Sequence, residues 1–200
     1  MRHGLIFRSG DLSHITAKGT AQLQALGIRE IFDLRSATEV DGSKNEDGHY
    51  EAWLASHKGP ERIFAPVFQD CDFAPEALAM RFRDYSMEGT QGFVRAYRSV
   101  LLDSGPAITA ILSQLCTPTL ILLNCAAGKD RTGVIVMLLL LLAGCSTETV
   151  AEEYHLTEEG LGETWKAETA GRLLKHPTFR HGDIGDVERM VRVFGSLHAR

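Results

Sequence analysis

Apolar positions in this chain fall into two kinds of run. Short unbroken runs suit strands, and longer stretches repeat their apolar residues at helical spacing. Residues 119–123 are apolar and partly β-branched with no polar alternation, as expected of a strand buried on both faces. Residues 31–34 and 63–68 read as further strands, and residues 1–15 as a short strand and loop. Residues 134–143 are apolar on every side, which predicts a buried helix stopped at Gly144. A helix over 16–26 is capped by Thr16 and ended by Gly27. Helices are also expected over 75–86, over 92–102 and over 106–116, the last two parted by Ser104-Gly105. Ser146 caps another helix through Tyr154, and 161–175 and 183–198 are amphipathic. The polar, Gly-rich stretch 40–59 reads as loop with a short helical piece.

Strands alternating with helices predict an α/β fold. We expect three layers, α-β-α, around a central and mostly parallel sheet, with extra C-terminal helices after residue 145. A chain of 200 residues suits one domain with a sizeable core. A net charge of −5 argues against a dominant nucleic-acid surface, so any attraction for anions is local. Four scattered cysteines suit reduced thiols better than a disulfide scaffold, and the start carries no apolar leader. Both point to the cytoplasm. The run 134–143 is too short for a transmembrane segment, which needs about 20 residues. None of the eight histidines has metal-ligand spacing, so no metal and no cofactor is expected. Nothing in the sequence sets an oligomeric state.

The candidate chemistry lies in TLILLNCAAGKDRTGV, residues 119–134. The predicted strand runs straight into Cys125, with Arg131 six positions on, just before the buried helix. In open α/β sheets ligands collect beyond the carboxyl ends of strands, where this turn lies. The N-terminus of the helix that follows favours an anion. Ala126, Ala127 and Gly128 are small enough for their N–H groups to curl into a concave nest. Arg131 can grip two phosphate oxygens in a bidentate fork. Lys129, Arg131 and the helix dipole all favour the anion of Cys125 over its thiol. This is a design for a thiolate that attacks phosphorus. A nucleotide phosphate loop would need G-x-x-x-x-G-K-[ST]; here Leu123 holds its first position and Asp130 follows Lys129. A buried core cysteine is the remaining rival, and the strand, loop and helix context weighs against it.

CAAGKDRTG at 125–133 resembles the loop of cysteine-dependent protein tyrosine phosphatases, in particular the family 3 branch. The likeness extends to FRSGDLS at 7–13, to LGI at 26–28 leading into DLRS at 33–36 with Glu39, and to Glu153-Tyr154. It implies a phosphomonoester hydrolase acting on phosphotyrosine in proteins, or on phosphoinositides, through a phosphocysteine. Cys125 would be the nucleophile. Arg131 would bind phosphate together with the backbone of Ala126, Ala127, Gly128, Lys129 and Asp130, an oxyanion-hole role. Thr132 would donate a hydrogen bond to the sulfur. The branch has His before the cysteine, where this chain has Asn124. An amide holds the loop but carries no charge, so a catalytically weak phosphate-binding module is the alternative function. The branch's opening strand has no counterpart here, so the sheet is expected to lack an edge strand unless the sequence starts late.

The leaving phenolate needs a proton, which this enzyme class takes from an Asp on a mobile loop. PVFQDCD at 66–72 resembles the branch's proline–aromatic–acid stretch and makes Asp70 the first candidate and Asp72 the second. Asp130 is expected at the pocket but not as the acid. Lys129 attracts a second phosphate or an acidic side chain, or else faces solvent. Arg35 and Glu39, four apart, are read as a pair at a helix start, with a structural role, and so is Asp33. Arg8 is read as structural, with bracing of the loop as the alternative. Cys71 is a candidate disulfide partner for Cys125.

Overall fold

The computed structural model describes residues 4–43, 48–57, 59–69, 84–85 and 90–175, with 158 and 163–175 described by backbone alone. Among these, β1 is Ile6–Ser9, β2 is Glu30–Asp33, β3 is Glu61–Phe64 and β4 is Ile121–Asn124. They form one sheet in the order β1-β4-β2-β3, every neighbour parallel. Asn124 at the end of β4 lies in register with Ser9 and with Asp33, so three strands end side by side. The helices are α1 (Ala17–Leu26), α2 (Ala37–Gly42), α3 (His49–Leu54), α4 (Gln91–Asp103), α5 (Gly105–Gln114), α6 (Asp130–Leu142) and α7 (Thr147–Lys175).

Contacts divide the chain into two compact units. The first comprises Met1–Asp70 and Val100–Val150 and contains the sheet. β4 is buried at every position, as its unbroken apolar run requires. Ile31 and Leu122 sit on one face in a core with Leu12, Ile28, Tyr50 and Trp53. Strand side chains alternate between faces, so Phe32, Ile121 and Leu123 point the other way, and they too are buried. With both faces covered, the sheet is the middle of three layers, the expected α/β architecture.

The second unit comprises Cys71–Ser99 and Ala151–Arg200. Its described part holds an aromatic group in which Phe93 and Tyr97 meet edge to face at 6.0 Å and Tyr85 lies 5.7 Å from Phe93. Tyr97 and Tyr154 are linked through their hydroxyls. Arg95 pairs with Asp84 at 2.9 Å.

Local signals explain the element ends. Thr16 accepts a hydrogen bond from the Gly19 N–H, and Gly27 ends α1 at φ 78°, as its sequence predicts. Gly144 closes α6 at φ 80°. The third expected strand begins two residues early and stops at Phe64; the Ala65 and Val67 N–H groups still donate to the Asp33 and Leu34 oxygens at 2.9 and 3.2 Å, but the second of these bonds is one residue out of register. The stretch 40–59, read as loop with a short helical piece, holds the last residues of α2 and the whole of α3. Ser36 and Glu39 form a reciprocal capping box that starts α2. The helix after the cysteine begins at Asp130, one turn before the apolar run, so Arg131 lies in its first turn. That run was expected to be buried throughout. Val134, Ile135, Val136 and Leu139 are buried, while Leu141 and Leu142, at the C-terminal end, are exposed. The helix begun after Ser146 continues to Lys175, broken at Gly162, whose φ of 64° and ψ of 170° are not helical. The helix expected over 75–86, apart from Asp84 and Tyr85, and the one over 183–198 lie outside the described residues.

Candidate active site

The turn from β4 into α6 is where the candidate residues gather. Cys125 directly follows the last strand residue and is buried. Gly128 adopts φ 68°, in the left-handed region that L side chains avoid. A Cβ there would lie 2.4 Å from the Ser9 carbonyl oxygen, so the loop packs directly on the end of β1. Two further contacts hold it. The Asp11 N–H donates to the Ala126 oxygen at 3.0 Å, and Arg8 Nη1 donates to the Gly128 oxygen at 3.4 Å. Arg8 therefore braces the loop, and that contact is structural in kind.

Ala126 is exposed, Ala127 and Asp130 are half-buried, and Lys129 is buried. Lys129 is thus not the solvent-facing charge that one reading allowed. The Thr132 hydroxyl is buried and has no hydrogen-bond partner among the described residues.

Arg131 is held by a carboxylate and lies near an aromatic ring. Its Nη1 donates to Glu39 Oε2 at 2.6 Å and its Nη2 to Glu39 Oε1 at 2.7 Å, a two-pronged pair. Its guanidinium carbon lies 5.9 Å from the centre of the Phe68 ring. Burial would lower the Arg131 pKa, but the adjacent Cys125 and Glu39 outweigh it and hold the pKa above its ordinary value. Burial likewise opposes ionisation of Glu39, yet the Arg131 pairing keeps that carboxyl below the usual range.

This corrects the expected Arg35–Glu39 pair. Arg35 precedes the cap of α2 and is not on the helix, so the four-residue helical spacing does not bring the two together. Instead Arg35 Nε and Nη2 grip Asp33 at 2.9 and 2.8 Å, and Nη1 reaches Asp11 at 2.5 Å. Arg62 adds 2.8 and 3.1 Å contacts to Asp33 Oδ2. Asn124 Nδ2 donates to Asp33 Oδ1 at 3.4 Å. Asp33 is completely buried, and the two guanidinium groups hold its carboxyl below the ordinary range although burial alone would raise it.

Two contacts of the site escaped the sequence reading. The Glu39–Arg131 pair joins residues 92 positions apart, beyond any local spacing. The capping box at Ser36 was its only local trace. Phe68 belonged to the stretch before the candidate acids, but its place beside Arg131 had no local sign. Asp70, Cys71 and Asp72 lie outside the described residues.

Among the described residues no cluster of His, Cys, Asp and Glu could hold a metal ion, and no helix is long and apolar enough to cross a membrane. The structure thus brings together a buried cysteine at a strand's carboxyl end, a short loop with a left-handed glycine and an arginine in the first turn of the next helix. The chain belongs to the tyrosine phosphatase family, whose model matches residues 1–196. It is 29% identical over 172 residues to the triple specificity protein phosphatase PtpB of Mycobacterium tuberculosis, an alignment covering 77% of this chain and 61% of that protein. It is 26% identical over 153 residues to a tyrosine-protein phosphatase of Nostoc commune, covering 75% of this chain and 47% of that one. The chain therefore spans about half to three-fifths of the length of the curated relatives it matches.

Proposed function

We propose that this chain is a protein tyrosine phosphatase that works through a phosphocysteine. The observation that carries the reading is the buried Cys125 held at the end of β4 with Arg131 in the first turn of α6. In the first step the Cys125 thiolate attacks phosphorus, and the bond from phosphorus to the phenolic oxygen breaks. The leaving phenolate takes a proton from the general acid, for which Asp70 stands first and Asp72 second. Arg131 and the N–H groups of Ala126 to Asp130 hold the equatorial oxygens as charge builds on them. In the second step water attacks the phosphocysteine and gives up a proton to the same carboxylate. Phosphate leaves, and the thiolate returns. The Thr132 hydroxyl, buried without a partner among the described residues, suits donation to that sulfur.

The substrate is a phosphorylated protein, with a phosphoinositide as the lipid alternative. Buried Lys129 supports an added attraction for acidic groups around the phosphate. A cytoplasmic location belongs to the same reading, supported by free Cys116, Cys125 and Cys145. One domain spanning the whole chain is likewise part of it. A second reading, a weakly catalytic phosphate-binding module, is favoured by neutral Asn124 on Asp33.

Parallel kinetics on an aryl phosphate, a phosphotyrosine peptide and a phosphoinositide vesicle test this. Turnover is expected on the first two, and Cys125→Ser is expected to abolish it. Retained turnover in that variant would remove the thiolate mechanism. Phosphate binding by the wild type without turnover would favour the module.

A further inference from the structure

The geometry points to Glu39 as the positioning residue that presets Arg131 for phosphate, an inference that rests on the phosphatase reading above. A guanidinium carries five N–H donors in a fixed plane. The Glu39 carboxylate takes one from each terminal nitrogen, at 2.6 and 2.7 Å. That occupies the end of the fork and leaves the side edge, Nε–H with one terminal N–H, to grip two phosphate oxygens.

Glu39 is itself fixed. The Ser36 N–H donates to its Oε2 at 3.0 Å, and the Glu39 N–H donates to Ser36 Oγ at 3.2 Å. This capping box ties the carboxylate to the start of α2, three residues beyond the end of β2. β2 is hydrogen-bonded to β4, which carries Cys125 at its end. The nucleophile and the arginine thus take their positions from neighbouring strands of one sheet. A carboxylate on this arginine reduces its net attraction for a phosphate dianion. What it supplies is orientation: the fork stands ready before the substrate arrives, so no reordering is needed as the transition state forms.

Glu39→Gln in the full chain tests the role. It keeps size and an acceptor for the Ser36 N–H, but turns an amide N–H toward the Arg131 donors. We expect kcat on an aryl phosphate to fall by about 100-fold, the scale of a small misplacement of a reacting group. Inorganic phosphate should bind more weakly by calorimetry, with unfolding still cooperative. In an Arg131→Lys background the same change should cost less than about threefold, because the two act as a unit. Values of kcat and phosphate affinity within about twofold of wild type would overturn the inference, and so would a full independent loss in the Arg131→Lys background. Should Glu39→Gln not fold, Ser36→Ala releases the carboxylate from its cap and should weaken phosphate binding to a smaller degree; unchanged binding there overturns the role. Turnover retained in Cys125→Ser would sink the phosphatase reading alone, since phosphate affinity still decides the part played by Glu39.

Discussion

Two acidic side chains at the carboxyl end of the sheet each hold arginine, and they do so in opposite styles. Asp33 lies beneath the loop, in register with Asn124, and is fully buried. Its Oδ1 accepts from Arg35 Nε, the Arg35 N–H and Asn124, and its Oδ2 from Arg35 and Arg62. Both oxygens are saturated, so the cluster has little left to offer a ligand. Glu39 and Arg131 form an equally tight pair, but their side chains are 19% and 12% exposed. The fork of Arg131 has donors to spare. Charge that is fully matched indoors anchors a structure, whereas charge matched on one side and open on the other leaves donors for the proposed substrate.

Removing the anchor should have the largest effect on stability. Asp33→Ala leaves Arg35 buried opposite no carboxylate except Asp11, and breaking such a pair costs about 3–5 kcal/mol. Urea unfolding measures it, and a loss under about 1 kcal/mol would mean that the cluster is not the anchor. The same carboxyls predict an acid limb in stability. Asp33 and Glu39 both ionise more readily when folded than when unfolded, their guanidinium partners overcoming the opposing effect of burial. Their contribution is therefore present above the ordinary carboxylate range, about pH 4, and is lost as pH falls through the lower folded values. In Asp33→Ala this acid loss should shrink. An unchanged acid limb would assign it to other carboxylates.

The contrast between the two acids also marks what the chain's local order reveals. The loop was legible because everything it needs lies within sixteen consecutive residues: an apolar run, small residues, an arginine and a second apolar run. The parallel sheet was legible for the same reason, since strands and helices alternate. Neither arginine pairing was. Arg35 and Glu39 have helical spacing, but the helix starts between them at the Ser36 cap, so their side chains diverge to Asp33 and Arg131. Strand ends were blurred where apolar character outlasts the regular ladder, as beyond Phe64, where the Val67 N–H bonds to Leu34 one residue out of register.

Tyr50 sharpens the comparison at the alkaline end, with a smaller expected effect. It belongs to the core on one face of the sheet, and its hydroxyl is buried with no hydrogen-bond partner among the described residues. Burial pushes its pKa up to about 12, although Arg62 acts in the other direction. The folded state prefers the neutral phenol, so this contribution is complete below about pH 10 and is lost as pH rises toward about 12. Tyr50→Phe removes a polar atom that folding leaves unsatisfied. It should raise stability by about 1 kcal/mol and flatten the alkaline loss. A destabilised variant would show that the hydroxyl has a partner after all.

The smallest expected change concerns Asn124, where the anchored cluster meets Cys125, the proposed nucleophile. The family resemblance places His before the cysteine, and a protonated His there would favour the thiolate. The surroundings of Asn124 limit that benefit. Asp33 already faces the cations of Arg35 and Arg62, Asp11 pairs with Arg35, and Glu51 lies 4.0 Å from Arg62. A third cation would meet an Asp33 carboxylate that two guanidinium groups already hold, whereas the amide adds one donor, to Asp33 at 3.4 Å, and no charge. Asn124→His should therefore stay largely neutral near pH 7 and raise kcat/KM there by less than about tenfold, the equivalent of one pKa unit. In the acidic range, where the imidazole does protonate, the acid limb of the kcat/KM profile should move to lower pH. A rise well beyond tenfold at neutral pH would mean that the cluster holds unspent negative charge, and that the neutral amide restrains the proposed reaction.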